Sequence, residues 1–308
     1  MDLSVNLAPH NKKGLILANP VMTASGTFGY GTEYENLVDI QKLGAIVSKG
    51  TFMEPREGNP QPRLAETASG MLNAIGLQGI GIKALIKEKA SVWVGWRVPV
   101  IVNIAGEMVE EYAAMARLLD GVPGVSGLEV NISCPNVKAG GAEFGTKPES
   151  AAEVTAAVRQ STSLPVLVKL TPNVTDIVSI AKAVAEAGAD AITLINTLKG
   201  MAIDIKKRKP ILGNISGGLS GPAIKPVALY MVYRVAGVVN IPIVGCGGIG
   251  NTYDALEFLM AGASAVEVGT TSFTNPRAVI DVLEGIEKFL ADQKINAISE
   301  IVGAARTK

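Results

Sequence analysis

The chain has 308 residues, 48% of them hydrophobic and 18% charged, with 28 basic side chains against 28 acidic ones and therefore no formal net charge. One histidine, His10, and two cysteines, Cys134 and Cys246, exclude histidine triads, histidine metal sites, zinc or iron–sulfur clusters and a disulfide framework within the chain, so no metal site is expected. The missing cationic excess argues against nucleic acid, and no apolar run reaches the ~18 residues of a membrane span.

The opening Met1-Asp2-Leu3-Ser4-Val5 lacks a signal-peptide pattern, so a cytoplasmic, soluble protein is expected. In chain order, short apolar runs rich in β-branched residues occur at 18–22, 45–49, 98–103, 127–132, 165–170, 191–196, 241–246 and 265–269. They do not alternate strictly, as befits strands buried on both faces of a parallel sheet. Amphipathic helical stretches occupy 107–119, 150–161, 176–187, 224–236, 254–261 and 276–290. Ala187-Gly188-Ala189 and Ala261-Gly262-Ala263 read as helix C-caps that lead directly into strands. Strands and helices in this alternation predict a (β/α)8 TIM barrel with long inserted βα loops, with an open doubly wound sheet as the alternative. No Pro- or Ser-rich linker divides the chain, so residues 1–308 are expected to form a single domain.

Segments 50–97, 135–147 and 197–222 are too long for plain connections, and each follows the C-terminal end of a strand, where a barrel keeps its chemistry. Glycine-rich turns, Gly245-Cys246-Gly247-Gly248-Ile249-Gly250 and Val268-Gly269-Thr270-Thr271, follow strands seven and eight. Loops at those two places often hold a phosphate on backbone N–H groups, and the absence of a β-carbon lets the backbone approach it. Lys49 and Lys169 end strands two and five. Either one snorkels, forms a Schiff base, or fixes a positive charge beside an electron-accepting ring. Asn103, Asn131 and Asn196 end further strands, while Asn73 and Asn136 sit in long loops. Several amides at one mouth would suit a planar imide or amide ring. Cys134, just beyond strand four, is a candidate nucleophile or proton acceptor; Cys246, inside an apolar strand, reads as core filler. The basic run Lys206-Lys207-Arg208-Lys209 reads as a solvated loop.

Six segments match one family in the right order: Ala24-Ser25-Gly26-Thr27, Ser48-Lys49-Gly50-Thr51, Asn73-Ala74-Ile75-Gly76-Leu77-Gln78, Asn131-Ile132-Ser133-Cys134-Pro135-Asn136, Val168-Lys169-Leu170 and Gly247-Gly248-Ile249. On them the chain resembles the class 1 dihydroorotate dehydrogenases over essentially its whole length. The stretch around Val137-Lys138-Ala139-Gly140-Gly141, with Thr197 after Asn196, resembles the catalytic subunits of class 1B. The resemblance implies a barrel that binds FMN and oxidises (S)-dihydroorotate to orotate in pyrimidine biosynthesis, with Cys134 as the base. It implies FMN contacts at Ala24, Ser25, Lys49, Gly50, Asn103, Asn131, Lys169, Ile195, Gly221, Gly247, Gly248, Gly269 and Thr270. Orotate contacts are implied at Lys49, Asn73, Ala74, Ile75, Gly76, Leu77, Asn131, Asn136, Asn196 and Thr197. It further implies electron transfer to NAD+ through a partner subunit that carries FAD and a 2Fe-2S cluster, in a heterotetramer of two of each chain. Gln78-Gly79-Ile80-Gly81 departs from the family's usual Gln-Asn-Pro-Gly, which bears on loop conformation rather than substrate. The alternatives are a fumarate-linked class 1A enzyme, a dihydropyrimidine dehydrogenase subunit, or a flavin-free aldolase using Lys169.

Overall fold

Each apolar run becomes a strand of one closed parallel barrel in this computed structural model, which describes residues 1–133, 135–136 and 142–307. The strands are β1 Val21–Thr23, β2 Ala45–Val47, β3 Val100–Ile104, β4 Gly127–Asn131, β5 Val166–Leu170, β6 Ala191–Leu194, β7 Ile243–Cys246 and β8 Ala265–Val268. Neighbours in space are neighbours in sequence, and β8 pairs with β1 to close the ring, Val266 opposite Val21. Every residue of β3, β4 and β5 is buried, because the barrel interior covers one face and the helices the other. Each buried Val, Leu or Ile contributes roughly 1.5–3 kcal/mol.

The outer layer consists of α1 (82–93, with a π-helical middle), α2 Val109–Leu119, α3 Pro148–Ser161, α4 Ile177–Glu186, α5 Lys225–Val235, α6 Thr252–Ala261 and α7 Ala278–Asp292. In α4 the buried set Ile177, Ile180, Ala181 and Val184 follows the helical repeat, and Asp176 caps the start by accepting from the Val178 N–H at 3.0 Å. Gly262 ends α6 in the left-handed conformation, which turns the chain straight into β8. Between β1 and β2 the connection is made of turns and a 3-10 turn at Ile40–Lys42 in place of a helix, in a stretch holding three positive-φ glycines, Gly26, Gly29 and Gly31.

Two of the long insertions meet to form a second sheet. Strands Leu198–Gly200, Gly217–Ser220, Gly70–Asn73 and Leu64–Thr67 pair antiparallel in that spatial order, with Leu219 opposite Leu72 and Gly218 opposite Asn73. A small satellite core of Leu72, Ala74 and Leu212 holds this sheet together. The insertions after β2 and β6 are thereby fastened to each other beside the barrel's C-terminal mouth.

Candidate active site

At that mouth lies a cavity of about 360 Å³, within the range of small-molecule sites. Its wall takes residues from beyond β1 (Ala24, Ser25), beyond β2 (Lys49, Gly50), from the insertion after β2 (Asn73, Ala74, Ile75, Gly76, Leu77) and from β3, β4 and β5 (Asn103, Asn131, Lys169). The remainder comes from beyond β6 (Ile195, Asn196, Thr197), from Gly221, and from the turns after β7 and β8 (Gly247, Gly248, Gly269, Thr270). Twenty separate candidate positions therefore converge on one space. Cys134 lies outside the described residues, and for Asn136 only its backbone is described, in a two-residue antiparallel bridge to Ala142.

The end of the cavity at β7 and β8 is built from backbone. Gly247 and Gly248 have φ of +123° and +78°, where L side chains are strained. A methyl on Gly248 would stand 2.7 Å from the Lys225 backbone nitrogen, and one on Gly247 would stand 3.0 Å from the Ala228 Cβ. The adjoining turns are tied together: Thr270 Oγ1 donates to Ser220 Oγ at 2.9 Å and Thr271 Oγ1 to the Ile249 carbonyl at 3.0 Å. Asn251 caps α6 by accepting from the Asp254 N–H at 3.2 Å, and Asp254 in turn accepts from the Gly250 N–H at 2.9 Å. The result is a cradle shaped by main chain, in which added β-carbons would collide.

The other end is built from neutral side chains. Asn196 Nδ2 donates to Asn131 Oδ1 at 3.2 Å and to Ser133 Oγ at 3.0 Å, and the Ser133 N–H donates to Asn131 Oδ1 at 3.1 Å. Tyr112 Oη donates to the Asn131 carbonyl at 2.7 Å, fixing the end of β4. Asn73 Nδ2 reaches the Gly218 carbonyl across the second sheet at 3.3 Å, and so hangs the roof's amide over the cavity. These bonds hold the amides in place for a planar ring with matching donors and acceptors.

Beneath the cavity lies a charged cluster in a dry setting. Lys169 Nζ donates to Glu267 Oε2 at 2.7 Å, lies 3.6 Å from Glu129 Oε1, and approaches Ser25 Oγ at 3.4 Å. Glu129 also accepts from Asn103 Nδ2 at 2.6 Å and from Thr193 Oγ1 at 3.1 Å. Burial opposes the charge on Lys169, but the carboxylates beside it more than reverse this and keep it protonated. Glu267 is pushed up to about 8, by burial first and by the charge of Glu129 second. Burial likewise opposes ionisation of Glu129, yet Lys169 and its three hydrogen-bonding partners hold it below the usual carboxylate range. Cys246 is buried and its thiol raised by that burial; it lines the cavity floor without being an available thiolate.

Glu129 and Glu267 escaped the sequence reading, although each is a lone acid in the middle of an apolar strand run. That is the signal that would have found them, because a charge in a both-face-buried strand requires a partner. Asn214, Ser216 and Ser220 also line the cavity from the insertion after β6. Among the described residues no cluster of metal ligands exists, and no helix is long and apolar enough to cross a membrane.

The dihydroorotate dehydrogenase family model matches residues 8–290. A protein of Pelobacter propionicus named dihydroorotate dehydrogenase B (NAD(+)), catalytic subunit, is 57% identical over 303 residues, covering 98% of each chain. A Desulforamulus reducens protein of the same name is 58% identical over 291 residues, covering 94% of this chain and 96% of its own. A Geobacter relative, again so named, is 55% identical over 303 residues and covers 98% of each chain.

Proposed function

This chain belongs to the dihydroorotate dehydrogenase family, and on that premise we propose how the cavity does the family's work. The protein is an FMN-dependent dihydroorotate dehydrogenase catalytic subunit that works with a separate partner subunit, electrons passing finally to NAD+. The observation that carries the site assignment is the division of one cavity into a main-chain cradle and an amide-lined end, with a buried cation below both.

The residues fit FMN on their own chemistry. The cradle at Gly221, Gly247, Gly248, Gly269 and Thr270 suits a phosphate held by backbone N–H groups. Asn103 Oδ1 is buried and without a donor among the described residues, an acceptor open to a ring N–H. Ala24, Ser25, Lys49, Gly50, Asn131, Lys169 and Ile195 complete the flavin's surroundings. When bound, FMN supplies the hydride acceptor for C6 of dihydroorotate.

Asn73, Asn131, Asn196 and Thr197 orient the pyrimidine through its imide groups, with Ala74, Ile75, Gly76 and Leu77 closing over it. Lys49 makes no ion pair among the described residues, which leaves its ammonium for the substrate carboxylate. Asn136 belongs with these residues by motif, and Cys134 takes the C5 proton. The positive charge of Lys169 favours the negative charge that arrives in the cavity as the hydride is transferred. Two catalytic chains with two partner subunits, in the cytoplasm, complete the reading; residues 1–308 act as one catalytic domain.

The test is direct. The purified chain carries FMN and is yellow, and anaerobic addition of dihydroorotate removes the colour. Cys134→Ser retains the cofactor while flavin reduction slows by orders of magnitude. Orotate displaces a bound pyrimidine probe at concentrations where uracil does not. A colourless protein, or equal competition by uracil, overturns the reading.

A further inference from the structure

The Lys169 cluster holds more acid than its single cation can balance. Three ionisable groups, Lys169, Glu129 and Glu267, are 4%, 0% and 1% exposed. Fully ionised they sum to one buried negative charge, which a protein interior tolerates poorly. Binding one proton is the simplest remedy. Glu129 already accepts neutral donors on both oxygens, from Asn103 and Thr193, and these favour its charged form. Glu267 differs: Oε2 accepts from Lys169, whereas Oε1 is buried and has no donor among the described residues. An orphaned carboxyl oxygen beside another carboxylate is where an acid proton belongs.

We infer that Glu267 is a proton-holding positioning residue: it shares one proton with Glu129, and that proton decides whether the floor of the cavity under a bound flavin is neutral or negative. The flavin half of this inference rests on the proposed function; the shared proton does not. The other groups facing Glu267 are Lys169 on β5, Glu129 on β4 and Cys246 on β7, the last kept as a neutral thiol by burial. Among the described residues no further titratable side chain contributes, and Ser25, Asn103 and Thr193 in the same shell are neutral. The upward displacement of Glu267, to about 8, agrees with the count of charges.

The consequence follows from the sign of the charge. With the proton bound, the three groups sum to zero and a negative charge gained in the cavity meets only the near ammonium of Lys169. Release of the proton to solvent places one net negative charge below. Electron uptake by the flavin is then disfavoured, and reduction of the flavin in turn draws the proton back onto Glu267.

Two readouts test this without measuring turnover. The first is the FMN midpoint potential of the holoprotein, followed between about pH 6 and about pH 10 by dye-equilibrated photoreduction. In the wild type the potential falls more steeply with pH above the Glu267 transition. In Glu267→Gln, which mimics the protonated acid, that extra fall is absent while the low-pH values coincide with wild type. Parallel curves for the two proteins overturn the inference. The second readout is difference infrared spectroscopy of wild-type protein labelled with 13C-glutamate. A buried carboxylic-acid band present in mildly acidic and lost in alkaline solution supports the shared proton; a cluster showing no acid band at any such pH overturns it, even where Glu267→Gln does not fold. A protein that binds no flavin but shows the titrating band would refute the proposed function and leave the shared proton standing.

Discussion

Two lysines in this barrel each face a pair of carboxylates at similar distance, and they differ in burial. Lys169 lies 2.7 Å from Glu267 and 3.6 Å from Glu129 with its side chain 5% exposed; Lys225 lies 2.7 Å from both Asp254 and Glu257 with its side chain 27% exposed. Around Lys225 water completes the solvation, so an excess anion costs little and the cluster serves mainly to brace α5 against α6. Around Lys169 the same inventory has no water to lean on, and the excess acid has to be settled by a proton. One lysine and two carboxylates thus give a mechanical brace at the surface and a charge-setting device in the interior. The physical difference is the desolvation of ions, several kcal/mol for each in a protein interior.

Removing the buried cation has the largest consequence. Lys169→Met leaves Glu129 and Glu267 buried without their counter-ion. Loss of one partner from a buried pair typically costs ~3–5 kcal/mol, so the variant is expected to unfold at markedly lower denaturant than wild type. With no cation present, both carboxyls are pushed upward, so the folded state binds more protons than the unfolded chain. Its stability therefore recovers as pH falls toward the ordinary carboxylate range and worsens as pH rises. Urea melts at mildly acidic and alkaline pH check both the size and the sign; a variant with wild-type stability in alkali would show that the cluster is not electrostatically coupled.

The surface brace meets the cavity wall at a glycine, Gly248. A Cβ on Gly248 would press on the Lys225 backbone nitrogen and Cβ, both at 2.7 Å, at a φ of +78°. Gly121 has almost the same φ, +77°, but nothing lies within 4 Å of its missing Cβ. Both alanine variants bear the cost of a left-handed residue, on the order of 1–3 kcal/mol. Only Gly248→Ala also displaces the cradle, so its FMN affinity is expected to fall at least tenfold while that of Gly121→Ala stays near wild type. Equilibrium titration of the apoproteins with FMN separates the two costs.

Glu267 sits at about 8 in the folded protein against an ordinary 4.5. Between those values the folded state holds more protons than the unfolded chain, so this group makes stability fall as pH rises, by at most ~1.4 kcal/mol per pH unit for one proton. Glu129 shifts the opposite way and adds stability above the ordinary carboxylate range, whereas Lys169, raised like Glu267, adds stability that is lost only in strong alkali. Glu267→Gln removes this falling contribution and is expected to flatten the decline on approach to pH 8. A thermal melt series of the two proteins, buffered across that window, reads the difference.

Much of this architecture was legible in the sequence, and the reasons differ from part to part. The barrel strands stood out because burial on both faces writes a continuous apolar run, as in Val166–Leu170, and local composition suffices to see it. Two predicted ends ran long by two residues: Lys49 and Asn196 lie beyond Val47 and Leu194, where the chain has already left the ladder to line the cavity. Cradle glycines were readable because turn geometry is local. The second sheet was not, since Gly70–Asn73 finds its partner Gly217–Ser220 nearly 150 residues later, and no periodic signal marks such short strands. Glu129 and Glu267 were visible as letters but silent as partners; the pairing of β4 with β5 brings Glu129 to Lys169, and closure of the barrel brings Glu267. Cys134, the residue on which the proton-abstraction proposal turns, lies outside the described residues and rests on its motif.

The smallest expected effect belongs to the surface brace. Lys225→Ala removes two ion pairs whose members retain access to water, and exposed pairs are each worth ~0–1 kcal/mol. Its folded pKa is raised, by the hydrogen bonds to Asp254 and Glu257 first, so its contribution persists below its ordinary range and disappears only in strong alkali. Wild type and Lys225→Ala should therefore have unfolding midpoints within a few degrees of each other at neutral pH. Raising the salt should narrow that gap, because mobile ions screen charges that solvent can reach. Salt should not narrow the gap between wild type and Lys169→Met, whose charges lie out of reach of mobile ions. A salt response of equal size at the two sites would mean that burial is not what separates them, and the contrast between brace and charge-setting cluster would be lost.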